Sequence, residues 1–329
     1  MIYNLAKLVL ERGGSITPLK ISPEYTNGTG LCNPSIFVDG KDTLLILRNV
    51  GYTLYHSEFQ QKFQGRWGPL SYLHPESDQT LRTTNYFCYL NKDLSIKEYF
   101  KVDTSDLDEP PLWEFIGLED ARIVKWDGKY FICGVRRDTT TNGEGRMELS
   151  EITITKNSVV EKARYRIQPP NNVPSYCEKN WMPINDMPFH FVKWTNPTEV
   201  VKVDLKTESS KTIALVPQTI TTNQEMRGGS NVINWGKYKL GIIHECTFWY
   251  NEGNNKDSVY LHRLLLWDKD WNLIKYSDEF NFMTAQIEFA CGAAEINGDL
   301  VITYGYQDNA AFALTVPKNL VEELLNNEQ

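Results

Sequence analysis

The densest collection of groups able to move protons and hold anions is the run Gly117-Leu118-Glu119-Asp120-Ala121-Arg122, followed fourteen residues after Arg122 by Arg136-Arg137-Asp138. Adjacent carboxyls suit general acid–base work, because burial or a neighbouring carboxylate can hold one of them protonated. Guanidinium groups suit oxyanions, since each fork binds two oxygens at once. Arg122 has a second reading as a salt-bridge partner of Asp120, which would lower rather than raise the acid's pKa.

These residues need an element that brings them together, and the intervening sequence supplies a hairpin. Ile123 to Trp126 and Lys129 to Cys133 are β-branched and aromatic, and Asp127-Gly128 between them provides the positive φ angles of a two-residue turn. The strand ends away from the turn then place Glu119, Asp120 and Arg122 near Arg136, Arg137 and Asp138. Side chains alternate along a strand, so only one of Arg136 and Arg137 faces the same way as the acids.

Imperfect copies of this hairpin recur. One turns at Asp39-Gly40, one near Asn185-Asp186, one around Trp235-Gly236 and one at Asn297-Gly298, and each begins with small or polar residues. Five copies with further strands between them (Leu149 to Thr155, Glu199 to Val203, Tyr260 to Trp267) predict an all-β chain, a five-bladed β-propeller, in preference to a two-sheet sandwich. One domain over 1–329 is expected, with short helical segments at 1–14 and 318–329. In a radial array the copy boundaries converge on the axis. The residues collected there are Asn33 and Arg48; Glu119, Asp120, Arg122 and Arg136; Lys179 and Asn180; Arg227 and His244; and Glu288, Tyr304 and Asp308. Mixed charge repeated at such positions predicts a ligand pocket.

Composition narrows the ligand. The chain has 329 residues, 41% of them hydrophobic and 23% charged, enough for a large core. A formal net charge of -8 argues against a general nucleic-acid binder. Nine Trp and seventeen Tyr suit sheets and also stacking on sugar rings. The six cysteines lack Cys-x-x-Cys spacing, so free and mostly buried thiols are expected, with no metal site. His56, His74 and His262 read as structural or surface residues. Lys7, Glu11 and Arg12 interrupt the N-terminal apolar pattern, which predicts an amphipathic helix rather than a signal peptide. No run is long enough to span a membrane, and a cytoplasmic location is the expectation.

Gly117-Leu118-Glu119-Asp120-Ala121-Arg122 resembles the Gly-x-Glu-Asp-Pro-Arg signature of glycoside hydrolase family 130, the mannoside phosphorylases and β-mannosidases. Asn33-Pro34 and Arg48, Glu178-Lys179-Asn180 and Tyr304-Gly305-Tyr306-Gln307-Asp308 resemble further elements of that family, in the same order along the chain. Ala121 stands where the family has Pro, and its His-Arg after the Lys-Asn element has no clear counterpart. The resemblance implies a five-bladed propeller and an inverting transfer of a mannosyl residue between a glycoside and phosphate. Its single protein acid falls on Asp120, and no cofactor is implied beyond inorganic phosphate or a sugar 1-phosphate as substrate. Asn33, Glu119, Arg122, Asn180, His244, Tyr304 and Asp308 are the expected substrate contacts, and Arg48, Lys179 and Arg227 the expected phosphate ligands.

Two other classes stay open. The same propeller could be a glycosyltransferase building a glycan from an activated sugar, or a carbohydrate-binding module that needs no acid at Asp120. Asp106-Leu107-Asp108 and Asp268-Lys269-Asp270 have the spacing of metal-binding acidic pairs but read as surface turns. The external helical segments could pack against a second copy of the chain.

Overall fold

The structure is a computed structural model that describes residues 2–55, 71–73, 80–172, 175–220, 224–250 and 256–326. His56 and His74 lie outside these residues, as do Met1 and the tail beyond Asn326. The chain is a five-bladed β-propeller. Blade 1 is built from Leu31–Asp39, Asp42–Val50, Leu81–Leu90 and Ile96–Asp103, and blade 2 from Glu119–Trp126, Lys129–Arg136, Arg146–Ile154 and Val159–Arg166. Blade 3 comprises Met182–Pro183, His190–Thr195, Thr198–Asp204 and Ser209–Val216. In blade 4 the inner strand comes in two pieces, Met226–Gly228 and Ile233–Trp235, before Tyr238–Tyr250, Lys256–Trp267 and Leu273–Tyr276.

Blade 5 closes the ring. Glu288–Ile296, Asp299–Tyr306 and Ala310–Val316 take their outermost strand, Ser15–Pro18, from the beginning of the chain, in antiparallel register from Ser15 opposite Thr315 to Pro18 opposite Phe312. Closure through hydrogen bonds between the two ends of the chain leaves no open seam between first and last blade. The helix Leu5–Glu11 and the helix Lys318–Asn326 pack apolar residues, Leu5, Val9, Leu320 and Val321 among them, against blades 4 and 5. Apolar layers fill the wedges between neighbouring blades. Ile36, Leu45 and Tyr86 of blade 1 meet Ala294 and Val301 of blade 5, and Trp126 and Phe131 of blade 2 meet Trp181 and Phe191 on the blade 3 side.

The hairpin turns form as their residues dictate. Asp127 and Gly128 both have positive φ (49° and 78°), as do Asn297 and Gly298 (55° and 91°), the geometry of primed two-residue turns. At the opposite end of the inner strands, the ladder slips between Cys32 and Ser35, between Glu119 and Arg122, and between Ala290 and Gly292. Such bulges re-aim side chains. Asn33, Asp120 and Asn180 occupy matching points with φ of 45°, 50° and 61°, a left-handed conformation that Asn and Asp tolerate better than other non-glycine residues. Pro34 has no N–H to give a ladder and fits inside the bulge.

Candidate active site

The bulges turn their residues into the axial end of the propeller. Asp120 Oδ1 accepts hydrogen bonds from Asn33 Nδ2 at 2.7 Å and from Arg48 Nη1 at 2.8 Å, so blade 1 holds the carboxylate of blade 2. Arg48 is itself fixed by Nε donation to Thr83 Oγ1 at 3.1 Å. Close packing enforces the arrangement. A Cβ on Gly305 would lie 2.1 Å from Asn33 Oδ1, and one on Gly30 would lie 2.1 Å from the carbonyl of Asp308, so both positions require glycine.

Three carboxyls here are shifted in different directions. Burial alone would raise Asp120, but Arg48, Arg122, the Asn33 hydrogen bond and Lys179 together hold it below the ordinary carboxylate range. Glu119 goes the other way. Burial raises its pKa and the Asp120 charge adds to this, against the opposing pull of Arg48, Arg137 and Lys179. Asp308 is likewise raised, by burial first and by Asp120, although Arg48, a long 3.5 Å hydrogen bond from the Tyr52 hydroxyl and Lys179 oppose it. Glu119 Oε1 is buried without a hydrogen-bond partner. The arrangement therefore sets one carboxyl below and two above the ordinary range at one end of the propeller, a separation that suits acid and base roles.

Lys179, Asn180 and Arg227 converge on an adjoining cavity of about 360 Å3, with Glu178 and Lys193 in its wall. Lys179 is exposed, and among the described residues its ammonium has no ion-pair partner, while its charge reaches Asp120, Glu119 and Asp308. Arg227 is partly occupied by Glu225, 2.7 Å away. Of the two adjacent arginines after blade 2's first hairpin, Arg137 is the one whose charge acts on Glu119. Strand alternation left that choice open; the structure makes it, because Arg136 points into the wedge between blades 1 and 2 and pairs with Glu148 at 2.6 Å.

Several expected contacts are corrected. Arg122 is fully buried and contacts no open space; its Nε and Nη2 donate to the Gly229 carbonyl at 2.9 and 2.7 Å, and Nη1 to the Asp120 carbonyl at 2.5 Å. It clamps blade 2 to blade 4 and sets the Asp120 backbone. Tyr304 is also fully buried, stacked on Phe282 at 4.1 Å in the core between blades 4 and 5, and so cannot stack on a ligand. Glu288 spends its carboxylate on the backbone N–H groups of Phe282, Met283 and Ala285. Arg48 is the counterion of Asp120 rather than a free anion ligand. His244 is 2% exposed and packed against Tyr260 and Phe289; burial, then the charges around it, keep the imidazole neutral. Asn180 Oδ1 faces Arg122 Nη2 at 3.5 Å.

Tyr52 was not singled out by the sequence. Tyr52 sits past the end of a strand in a Gly-Tyr-Thr stretch that carries no motif, and only the fold places it beside Asp308. Among the described residues no group of His, Cys, Asp and Glu could hold a metal ion, and no helix is long and apolar enough to cross a membrane. The Asp268 carboxylate accepts from the backbone of Asp270 and Asn272, as a turn residue does.

The fold is a five-bladed propeller of the glycoside hydrolase family 130 type. The β-1,2-mannobiose phosphorylase from Listeria innocua superposes with a TM-score of 0.56 at 15% identity, over 95% of this chain and 97% of that one. A glycosyl hydrolase from Bacteroides ovatus gives 0.56 at 13% identity over 88% and 85%, and a mannose phosphorylase from Leishmania mexicana gives 0.51 at 12% identity over 98% and 97%. No protein-family model matches the chain, and no curated protein matches it in sequence.

Proposed function

We propose that this protein is a carbohydrate-active enzyme, an inverting glycoside phosphorylase that transfers a mannosyl residue between a glycoside and phosphate. The observation that carries the reading is the Asn33–Asp120–Arg48 arrangement, a carboxylate kept ionised at the axial end, on which the charge of the exposed Lys179 acts. Both contacts to Asp120 fall on Oδ1, which leaves Oδ2 for a sugar hydroxyl. The similar structures include phosphorylases acting on mannose compounds.

In the synthetic direction, Asp120 takes the proton of the acceptor hydroxyl, directly or through a neighbouring sugar hydroxyl. The acceptor oxygen forms its bond to the anomeric carbon as the bond from that carbon to the phosphate oxygen breaks, and phosphate departs from the opposite face with inversion. Lys179, Arg227 and Arg137 supply cationic donors for the phosphate, each charge-assisted contact being stronger than a neutral one. Phosphorolysis is the reverse, with Asp120 returning the proton to the leaving oxygen. Asn33, Glu119, Asn180 and Asp308 are the groups positioned to bind sugar hydroxyls.

The test is incubation of the protein with a panel of sugar 1-phosphates and acceptors, without nucleotide, followed by assay of released phosphate. Release dependent on acceptor supports the reading. A second reading rests on the raised pKa of Glu119 and Asp308 beside an ionised Asp120, the acid and base set of an inverting hydrolase. Liberation of reducing sugar from mannosides at a rate indifferent to added phosphate would select it. Release only from nucleotide sugars would select a glycosyltransferase, and glycan binding with no turnover a lectin-like propeller.

A further inference from the structure

A large cavity lies away from the axial carboxyls, in the wedge between blades 1 and 2. It measures about 690 Å3 and is bounded by the first residues of Leu81–Leu90, by the 104–112 loop and by one face of blade 2. The inner part of this wedge is apolar, with Phe87, Leu118, Ile123 and Ile132 in contact. Its outer part is charged and hollow.

The buried charges there satisfy one another, while Arg82, Lys101, Glu109 and Glu208 stand exposed at the rim. Arg136 pairs with Glu148 at 2.6 Å, and Arg164 with Glu161 at 2.6 Å and with Asp108 at 2.5 Å, while Ser150 donates to Glu161 at 2.5 Å. Two atoms are left over. Asn85 and Asp138 are 8% and 9% exposed, line the cavity, and each keeps one oxygen, Oδ1, buried with no hydrogen-bond partner. Their other polar atoms are anchored on the segment that leads to Glu119: Asn85 Nδ2 donates to the Leu118 carbonyl at 2.9 Å, and Asp138 Oδ2 accepts from the Gly117 N–H at 2.8 Å. Each free oxygen is thus held in place by its own second atom, and a buried acceptor without a donor is costly.

We infer that this wedge is a second binding site, separate from the axial hollow, for a neutral polyhydroxylated ligand, a sugar or a polyol. Its unspent buried atoms are acceptors, which call for hydroxyl donors rather than for the oxygens of phosphate or carboxylate. Its pairs leave no carboxylate cluster for a metal. Its volume lies within the roughly 300–1,000 Å3 of small-molecule sites.

The experiment is saturation-transfer NMR of the whole protein with mannose, mannitol and inorganic phosphate as probes, beside thermal melts. Two variants address the wedge. Asp138→Asn keeps the shape but can turn an N–H group toward the cavity, and Thr139→Arg places a long donor side chain from the exposed rim across the mouth. Lys179→Ala addresses the axial cavity. The expected result is that mannose or mannitol binds the parent, that phosphate does not displace it, and that both wedge variants weaken binding by about tenfold or more, as loss of a buried hydrogen bond does. Lys179→Ala leaves that binding intact. The proposal is overturned if neither neutral probe binds the parent, if Lys179→Ala abolishes the binding, or if Thr139→Arg leaves it unchanged. Should Asp138→Asn fail to fold, Thr139→Arg decides alone.

Discussion

The two sides of the propeller axis use the same repeat positions for opposite purposes. Toward blades 1 and 2 the bulged inner strands present Asn33, Glu119 and Asp120, the second strand of blade 1 adds Arg48, and the Asp120 side chain is 15% exposed. Toward blades 4 and 5 the matching region holds Arg122, His244, Glu288 and Tyr304 out of solvent, each against carbonyls, N–H groups or aromatic rings. Five-fold repetition of backbone therefore does not imply five-fold sharing of chemistry. The side of blades 1 and 2 carries the proton-accepting carboxylate, and these four buried residues fix positions around it, although Arg227 of blade 4 and Asp308 after blade 5's second strand also face the site.

The largest effect expected on the reactive side is at Asp120. Asp120→Asn keeps an oxygen for Arg48 and Asn33 but cannot take a proton, and turnover should fall about 100-fold or more. The same change leaves Arg48 buried without its counterion, which should cost about 2–4 kcal/mol in a denaturant titration. Adding Arg48→Gln to Asp120→Asn should recover much of that stability and none of the turnover. A double variant that recovers both would remove Asp120 from the chemistry.

On the positioning side, Arg122→Met strips donors from the carbonyls of Gly229 and Asp120 while keeping bulk. Loss of about 2–4 kcal/mol is expected from buried acceptors left unpaired, with turnover per folded molecule falling because the Asp120 backbone is no longer held. An unaltered unfolding midpoint would mean that the clamp between blades 2 and 4 carries no stability, and the division between the two sides would lose its basis.

The pH dependence sharpens the same contrast. Asp120 must be ionised to accept a proton, and its lowered pKa keeps it so; the synthetic rate should hold into acid and fail only as the pH drops through that lowered value. Arg48→Gln removes the strongest opposing charge and leaves burial, the largest influence, to raise the carboxyl. The acid limb of turnover should then move to higher pH. Rate profiles between about pH 3 and 7 would show it, and an unmoved limb would mean that a group other than Asp120 controls the rate.

Much of this architecture was legible in the sequence because hairpins announce themselves locally. Asp127-Gly128 and Asn297-Gly298 fix turns whatever surrounds them, and the small or polar residues that open each copy mark the bulges. The closing strand Ser15–Pro18 was not legible, since its partner lies at the other end of the chain and its four residues carry no pattern. Within the site, position was readable and orientation was not. Asp120, Asn33 and Arg48 could be assigned to one end of the propeller, but whether an arginine there faces the hollow or the neighbouring blade depends on long-range partners. For Arg122 that partner is a carbonyl 107 residues away in sequence.

The smallest effect concerns Tyr304, one of the residues expected to contact the sugar. Tyr304 has both faces covered, by Phe282 at 4.1 Å and Phe312 at 5.5 Å, and its hydroxyl is buried without a hydrogen-bond partner. Tyr304→Phe removes an unpaired polar atom and preserves the ring stack, so the melt should match the parent or lie slightly above it. Turnover and sugar affinity should change by less than about twofold, within the range of a substitution that alters no functional contact. A large loss of affinity with an unchanged melt would place the Tyr304 hydroxyl in contact with the ligand. The buried core between blades 4 and 5 would then belong to the ligand site, and the contrast between exposed and buried repeat positions would fail at its plainest point.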